Sequence, residues 1–220
     1  NNSRLDSCNG LIGQAWTIEA LAIASIILND PKYSNLGEEV FFQHNFNYDY
    51  GLWNRLEIDG EIKSIDPTFN HQLWFAACAA QLKGARKEKC DSIINNFILK
   101  LPDNLSIING GLIFHPIKVE GMIKEKYDKK TIKILIRIVI SKLLDMIVNN
   151  VSRKEKQKIK TKKMIYKSIG YHHFNMYAFA LLKNIYPDLN YWNRKDFLST
   201  VQFLLDKEYK NKIETNSFGY

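Results

Sequence analysis

The chain has no run of eighteen or more uncharged apolar residues. Its longest greasy stretch, Thr131 to Val148, is interrupted by Lys133, Arg137, Lys142 and Asp145, so no segment suits a bilayer-crossing helix. Cysteine is scarce. Cys8, Cys78 and Cys90 are odd in number and none stands in a Cys-x-x-Cys pair, which argues against a disulfide framework and against a zinc site. They read as reduced thiols, Cys78 in the core, and favour a cytoplasmic setting. The chain opens on Asn1-Asn2-Ser3-Arg4, with neither an initiator methionine nor an apolar signal segment, as expected of a processed chain or a piece of a longer one. Neither an acid-rich DxDD-type motif, which a terpene cyclase would need, nor the Cys/His zinc set of a lanthionine cyclase is present.

What the chain does have is enough apolar material for one sizeable core: 220 residues, 45% hydrophobic, read as a single domain. Its net charge of +8 is uneven. Residues 121–170 carry fifteen Lys/Arg against four acids, a surplus of +11, and the rest sums to −3. A basic patch can meet nucleic acid or an anionic surface. Arg153 to Lys163 has no interleaved aromatics and no nucleic-acid motif, so it reads as a solvated helix face or linker, with no nucleic-acid partner.

Taken in order, Asn9-Gly10-Leu11-Ile12-Gly13-Gln14-Ala15-Trp16 opens a helix that runs to about Leu28, is apolar nearly all round from Ala15 and so is expected to be interior, and is ended by Asn29-Asp30-Pro31. A second helix is expected over Leu36 to His44. Asp59-Gly60 between alternating segments signals a hairpin within 52–65. Asp66-Pro67-Thr68 then reads as the cap of an apolar helix running to Leu82, and Gly84 separates it from a helix over Arg86 to Leu99 with the stripe Ile93, Ile94, Phe97, Ile98. Asn109-Gly110 marks a second hairpin within 105–117. Lys133, Arg137, Ser141, Asp145 and Asn149, four apart, predict a helix over 130–150. Another apolar helix follows Gly170, a last one spans Arg194 to Glu208, and the tail from Asn211 looks irregular.

Three segments align at expected helix starts: Gln14-Ala15-Trp16, Gln72-Leu73-Trp74 and Asn175-Met176-Tyr177, each an amide, any residue, then a large aromatic. Gln14 and Gln72 lie 58 apart and Gln72 and Asn175 103 apart, about twice one spacing, so a degenerate copy is expected around 110–140. If alternate helices are the buried ones, these amino ends gather at one mouth. Amides and aromatic faces suit a polyhydroxylated ligand, and helix dipoles favour a carboxylate such as a uronate.

The segments Asn9-Gly10-Leu11-Ile12-Gly13-Gln14-Ala15-Trp16-Thr17-Ile18-Glu19-Ala20-Leu21 and Asp66-Pro67-Thr68-Phe69-Asn70-His71-Gln72-Leu73-Trp74-Phe75-Ala76-Ala77 resemble the inner helices of (α/α) toroid carbohydrate-active proteins. That superfamily includes unsaturated glucuronyl hydrolases, polysaccharide lyases and sugar epimerases, and the likeness is nearest to uncharacterised members associated with bacterial polysaccharide gene clusters. The resemblance covers roughly residues 5–85 and, more faintly, 170–182. It implies an all-α fold of helical hairpins forming part of an (α/α) toroid, with short β-hairpin excursions. It also implies a carbohydrate ligand, an acidic poly- or oligosaccharide, handled without a cofactor by a glycoside hydrolase-like enzyme, with a uronate lyase or a sugar epimerase as the further alternative. Such toroids carry about six hairpins and this chain offers about three and a half, so the expectation is a truncated toroid, an open arc, or a part that a further chain segment or an oligomer completes.

Glu19, one turn after Trp16 on an apolar helix, is the candidate general acid, since burial raises a carboxyl; the alternative is a structural ion pair. Asp66 is the other catalytic carboxylate candidate, with helix cap as its plainer role. Hydrolysis needs two such groups at a suitable separation. His71 and His173 are candidates for acid–base work with Tyr177, or for helix capping. Gln14, Trp16, Gln72, Trp74, Asn175 and Tyr177 are the candidate sugar contacts, the aromatics alternatively being core wedges. A non-catalytic helical-repeat scaffold binding glycan or peptide is the competing class. No metal site is expected, because His172 and His173, adjacent on a helix, face different ways.

Overall fold

The computed structural model describes residues 7–118 and 150–218. The described residues are mostly helical. In chain order they form α1 (Leu11–Ile27), α2 (Pro31–Gln43), β1 (Phe46–Asn47), β2 (Leu52–Leu56), β3 (Ile62–Ile65), α3 (Phe69–Ala80), α4 (Lys87–Asn104), β4 (Ile107–Ile108), β5 (Leu112–Ile113), α5 (Asn150–Ile185), a 3-10 turn (Asn190–Asn193), α6 (Lys195–Phe203) and α7 (Lys207–Ile213). Strands β1, β2 and β3 make one antiparallel sheet in that order, and β4 pairs with β5. Both expected hairpins are there. The helix expected over 130–150, Asn150 apart, and most of the degenerate repeat copy lie outside the described residues.

Helix α3 is the centre. Ten of its twelve residues are buried, as its alanine-rich sequence requires, and it packs on α1, α2, α4 and α5. Trp53 of β2, fully buried, fills the space beside it, its ring 5.3 Å from Phe75, 5.3 Å from Phe97 and 5.8 Å from Phe41. On the α5 side, Phe179 meets Phe69 at 6.3 Å and Phe197 at 5.3 Å. The turn into α4 is held from α2, where Ser34, Asn35 and Glu38 accept the amides of Lys83, Ala85 and Arg86 at 2.6, 2.9 and 2.8 Å.

Four expectations are corrected here. Helix α2 begins at Pro31 rather than Leu36, because the Asp30-Pro31 pair that stops α1 also starts the next helix: Asp30 accepts Lys32 N at 3.0 Å and proline occupies the first turn. Helix α1 is not interior all round. Leu11, Ala15, Ile18 and Ala22 face the core, but Trp16 is 59% and Ile27 75% exposed, since no described element covers its outer flank. The segment from Gly170 to Tyr177 does not start a helix; it lies deep inside the 36-residue α5. The last expected helix is split into α6 and α7 by a turn whose Asp206 caps Tyr209 N at 2.9 Å, and helix persists to Ile213 in what reads as irregular tail.

Candidate functional site

Asp66 is where the fold and the candidate chemistry meet. It is 1% exposed, and both carboxylate oxygens are hydrogen-bonded. Oδ2 accepts the Leu11 amide of α1 at 3.0 Å and lies 2.9 Å from His71 Nδ1, while Oδ1 accepts its own Thr68 amide at 3.0 Å. Burial pushes this carboxyl up, but the His71 hydrogen bond and charge, with the Leu11 and Thr68 amides, outweigh it and hold the group below its ordinary value. The cap therefore serves α1 rather than α3, whose Thr68 makes no side-chain cap and whose Phe69 amide goes to His115 O at 2.9 Å. The amino ends of α1 and α3 thus meet at one buried anion.

Gly10 makes this possible. It sits at φ 63°, ψ −150°, and a Cβ there would fall 2.1 Å from Asp66 Oδ2 and 2.8 Å from His71 Nδ1. Only a residue without a side chain lets the carboxylate approach α1.

An ionised carboxylate only accepts, so the Asp66 contact takes Nδ1–H of His71 and leaves the ring's Nε2 outside that bond. The imidazole is half-buried and lines a cavity of about 400 Å³ walled by Ile12, Trp16 and Glu19 of α1, Asn70, His71 and Trp74 of α3, Tyr171 and Phe174 of α5, and Asn9, Ser217 and Phe218. These are helical faces at the spacings i, i+4, i+7 on α1 and i, i+1, i+4 on α3. Glu19 is half-buried and makes no hydrogen bond or ion pair with a described residue, so the structural ion-pair alternative for it has no partner there. Asn70 is 6% exposed and its Oδ1 has no hydrogen-bond partner, an acceptor that a ligand hydroxyl could satisfy. None of the described lining residues is Lys or Arg.

The cavity brings together Trp16, Glu19, His71 and Trp74, with Asp66 directly behind. Tyr177 stands at their edge, exposed, its ring 5.8 Å from Trp74. The other expected contacts are elsewhere. Gln72 is fully buried and binds Trp53 N at 2.9 Å, Trp53 O at 2.8 Å and Asp66 O at 3.1 Å, because one residue along the helix turns it about 100° away from the His71 face toward the hairpin. Gln14 is half-buried and does not line the cavity. Neither does Asn175, buried in α5, nor His173, whose ring lies 4.2 Å from Phe174 and whose value is lowered by burial. Nor is a helix amino end left for a uronate at Asp66: that carboxylate already takes the place.

No protein family model and no solved structure matches the chain. One curated relative does. The chain is 31% identical over 219 residues to archaeal glycosylation protein Q of Haloferax volcanii, a match that takes in 100% of this chain and 57% of the relative.

Sequence reasoning missed Asn70, Tyr171, Phe174 and Phe218. Asn70 and Tyr171 carried a usable signal, since each shares a helical face with a neighbour that lines the cavity. Phe218 carried none, as its place depends on the chain turning back after α7: Asn216 donates to Tyr166 O at 2.8 Å and accepts Phe218 N at 2.9 Å, which sets the Phe218 ring 5.7 Å from Tyr171. Among the described residues, no group of three or more His, Cys, Asp or Glu is disposed to hold a metal ion.

Proposed function

We propose that the cavity binds a sugar unit of a glycan in a glycosylation pathway and moves a proton on it. The observation that carries this is the convergence of Trp16, Trp74, Glu19, Asn70 and His71 on one concavity: two aromatic faces for a sugar ring, an amide for its hydroxyls, and two titratable side chains for acid–base work. The Haloferax relative's name supports the carbohydrate setting. The row of α1, α3 and α5 is compatible with an inner layer of an (α/α) array, and we read it as part of a toroid.

His71, oriented by Asp66, is the base, and Glu19 is the second proton carrier. A two-carboxylate hydrolysis is the weaker reading, because Asp66 lies behind His71 with both oxygens hydrogen-bonded, which leaves Glu19 as the one carboxylate among the described residues that line the cavity. Epimerase or lyase chemistry needs one base and one acid. The test is incubation of the protein in D₂O with uronate and neutral oligosaccharides, read by deuterium at a ring carbon. Exchange in the wild type and its loss in His71→Gln and Glu19→Gln are expected. Sugar binding without exchange would make the site a glycan-binding scaffold, and no binding of any sugar would remove the reading altogether.

A further inference from the structure

The amino-terminal part of α5 stands apart from the site just described. From Asn150 to Lys163 the sequence holds seven Lys/Arg and one acid, Glu155. The described side chains there, Lys158, Ile159, Thr161, Lys162 and Lys163, are all exposed, Ile159 by 66%. None of the three lysines pairs with an acid among the described residues. Lys158 and Lys162 form one i, i+4 row and Ile159 and Lys163 the adjacent one, so a single flank offers three ammonium groups around an apolar tip.

We propose that this helix flank docks on an anionic lipid bilayer. Charge complementarity supplies the attraction, about fivefold in partition for each lysine near an anionic surface. Ile159 among the lysines fits the interface, where an apolar side chain enters the headgroup boundary while its cationic neighbours stay at lipid phosphates. In the sequence the stretch follows Thr131 to Val148, itself apolar and punctuated by Lys133, Arg137 and Lys142. A single-stranded nucleic acid would instead call for aromatics interleaved with the cations, and Arg153 to Lys163 has none.

The test is co-sedimentation of the whole chain with phosphatidylcholine vesicles, with and without about 30% phosphatidylserine, at low and high salt. The expected result is binding to the anionic vesicles alone, released by salt, with partition reduced about a hundredfold or more in a Lys158→Glu, Lys162→Glu, Lys163→Glu variant whose circular dichroism is unchanged. Equal binding to neutral vesicles, no binding, or full binding by the variant would overturn the proposal. So would tighter binding of single-stranded RNA than of anionic vesicles at the same salt.

Discussion

Replacing Gly10 by alanine tests the link between the α1 amino end and the candidate site. Two separate effects act on the variant. The backbone at φ 63°, ψ −150° is a conformation that side chains other than hydrogen rarely adopt, which costs about 1–3 kcal/mol. The new Cβ would also overlap Asp66 Oδ2 at 2.1 Å, so the carboxylate must leave Leu11 N, and loss of that cap costs about 0.5–2 kcal/mol more. Together these give about 1.5–5 kcal/mol in urea-induced unfolding. Gly60→Ala is the control: it also has positive φ, at 86°, but nothing lies within 4 Å of its Cβ, so only a backbone penalty of about 1 kcal/mol is expected. Sugar affinity should fall in the Gly10 variant and stay unchanged in the Gly60 variant, because only the first displaces the partner of His71. If Gly10→Ala unfolds within about 1 kcal/mol of wild type and binds sugar normally, the account of Asp66 is wrong.

Gln72→Leu should destabilise by about 1–3 kcal/mol, seen in denaturation monitored by Trp53 emission, since it strands the Trp53 amide, while the Trp53 carbonyl keeps the Asp66 amide at 3.2 Å. Trp16→Ala should leave stability within about 0.5 kcal/mol, because the ring is mostly exposed, but weaken sugar binding about tenfold by titration. Stability should also fall on acidification. His44 and His172 are buried, which pushes each from 6.5 down to about 4. The unfolded chain takes up these protons first, so the stabilisation is whole above pH 6.5 and is lost as pH falls to about 4, roughly 3 kcal/mol for each. His172→Gln should flatten that pH slope in urea titrations, and an unchanged slope would count against the assignment.

Both hairpins and helices α3 and α4 were legible because they are local. Asp59-Gly60 and Asn109-Gly110 name their turns by chemistry, and periodicity over 86–99 names the buried stripe of α4. Helix α1 was misjudged because burial depends on neighbours: Trp16 and Ile27 are as apolar as Ile18, and only the packing partners separate them. The amide–aromatic alignment picks out Trp16 and Trp74, which line the cavity, and Tyr177 beside Trp74, whereas its amides lie outside the cavity lining. Gln72 and Trp74 are two residues apart and so face different sides of one helix, as do Asn175 and Tyr177 on α5. One face of α3 therefore holds the cavity while the other bolts the hairpin.

That division decides how loss of activity at each residue should be read. Asp66 joins α1, the turn before α3, and His71 through three contacts on one buried carboxylate, so Asp66→Asn disturbs folding and imidazole orientation together. Its effect on turnover cannot separate the two roles. Glu19 and His71 can, because both reach the cavity and neither holds an element in place through a hydrogen bond other than the one from His71 to Asp66. An Asp66→Asn variant that loses stability yet, where folded, retains deuterium exchange on a bound sugar would make the carboxylate a structural anchor. One that keeps its stability and loses the exchange would make it the group that orients the proposed base.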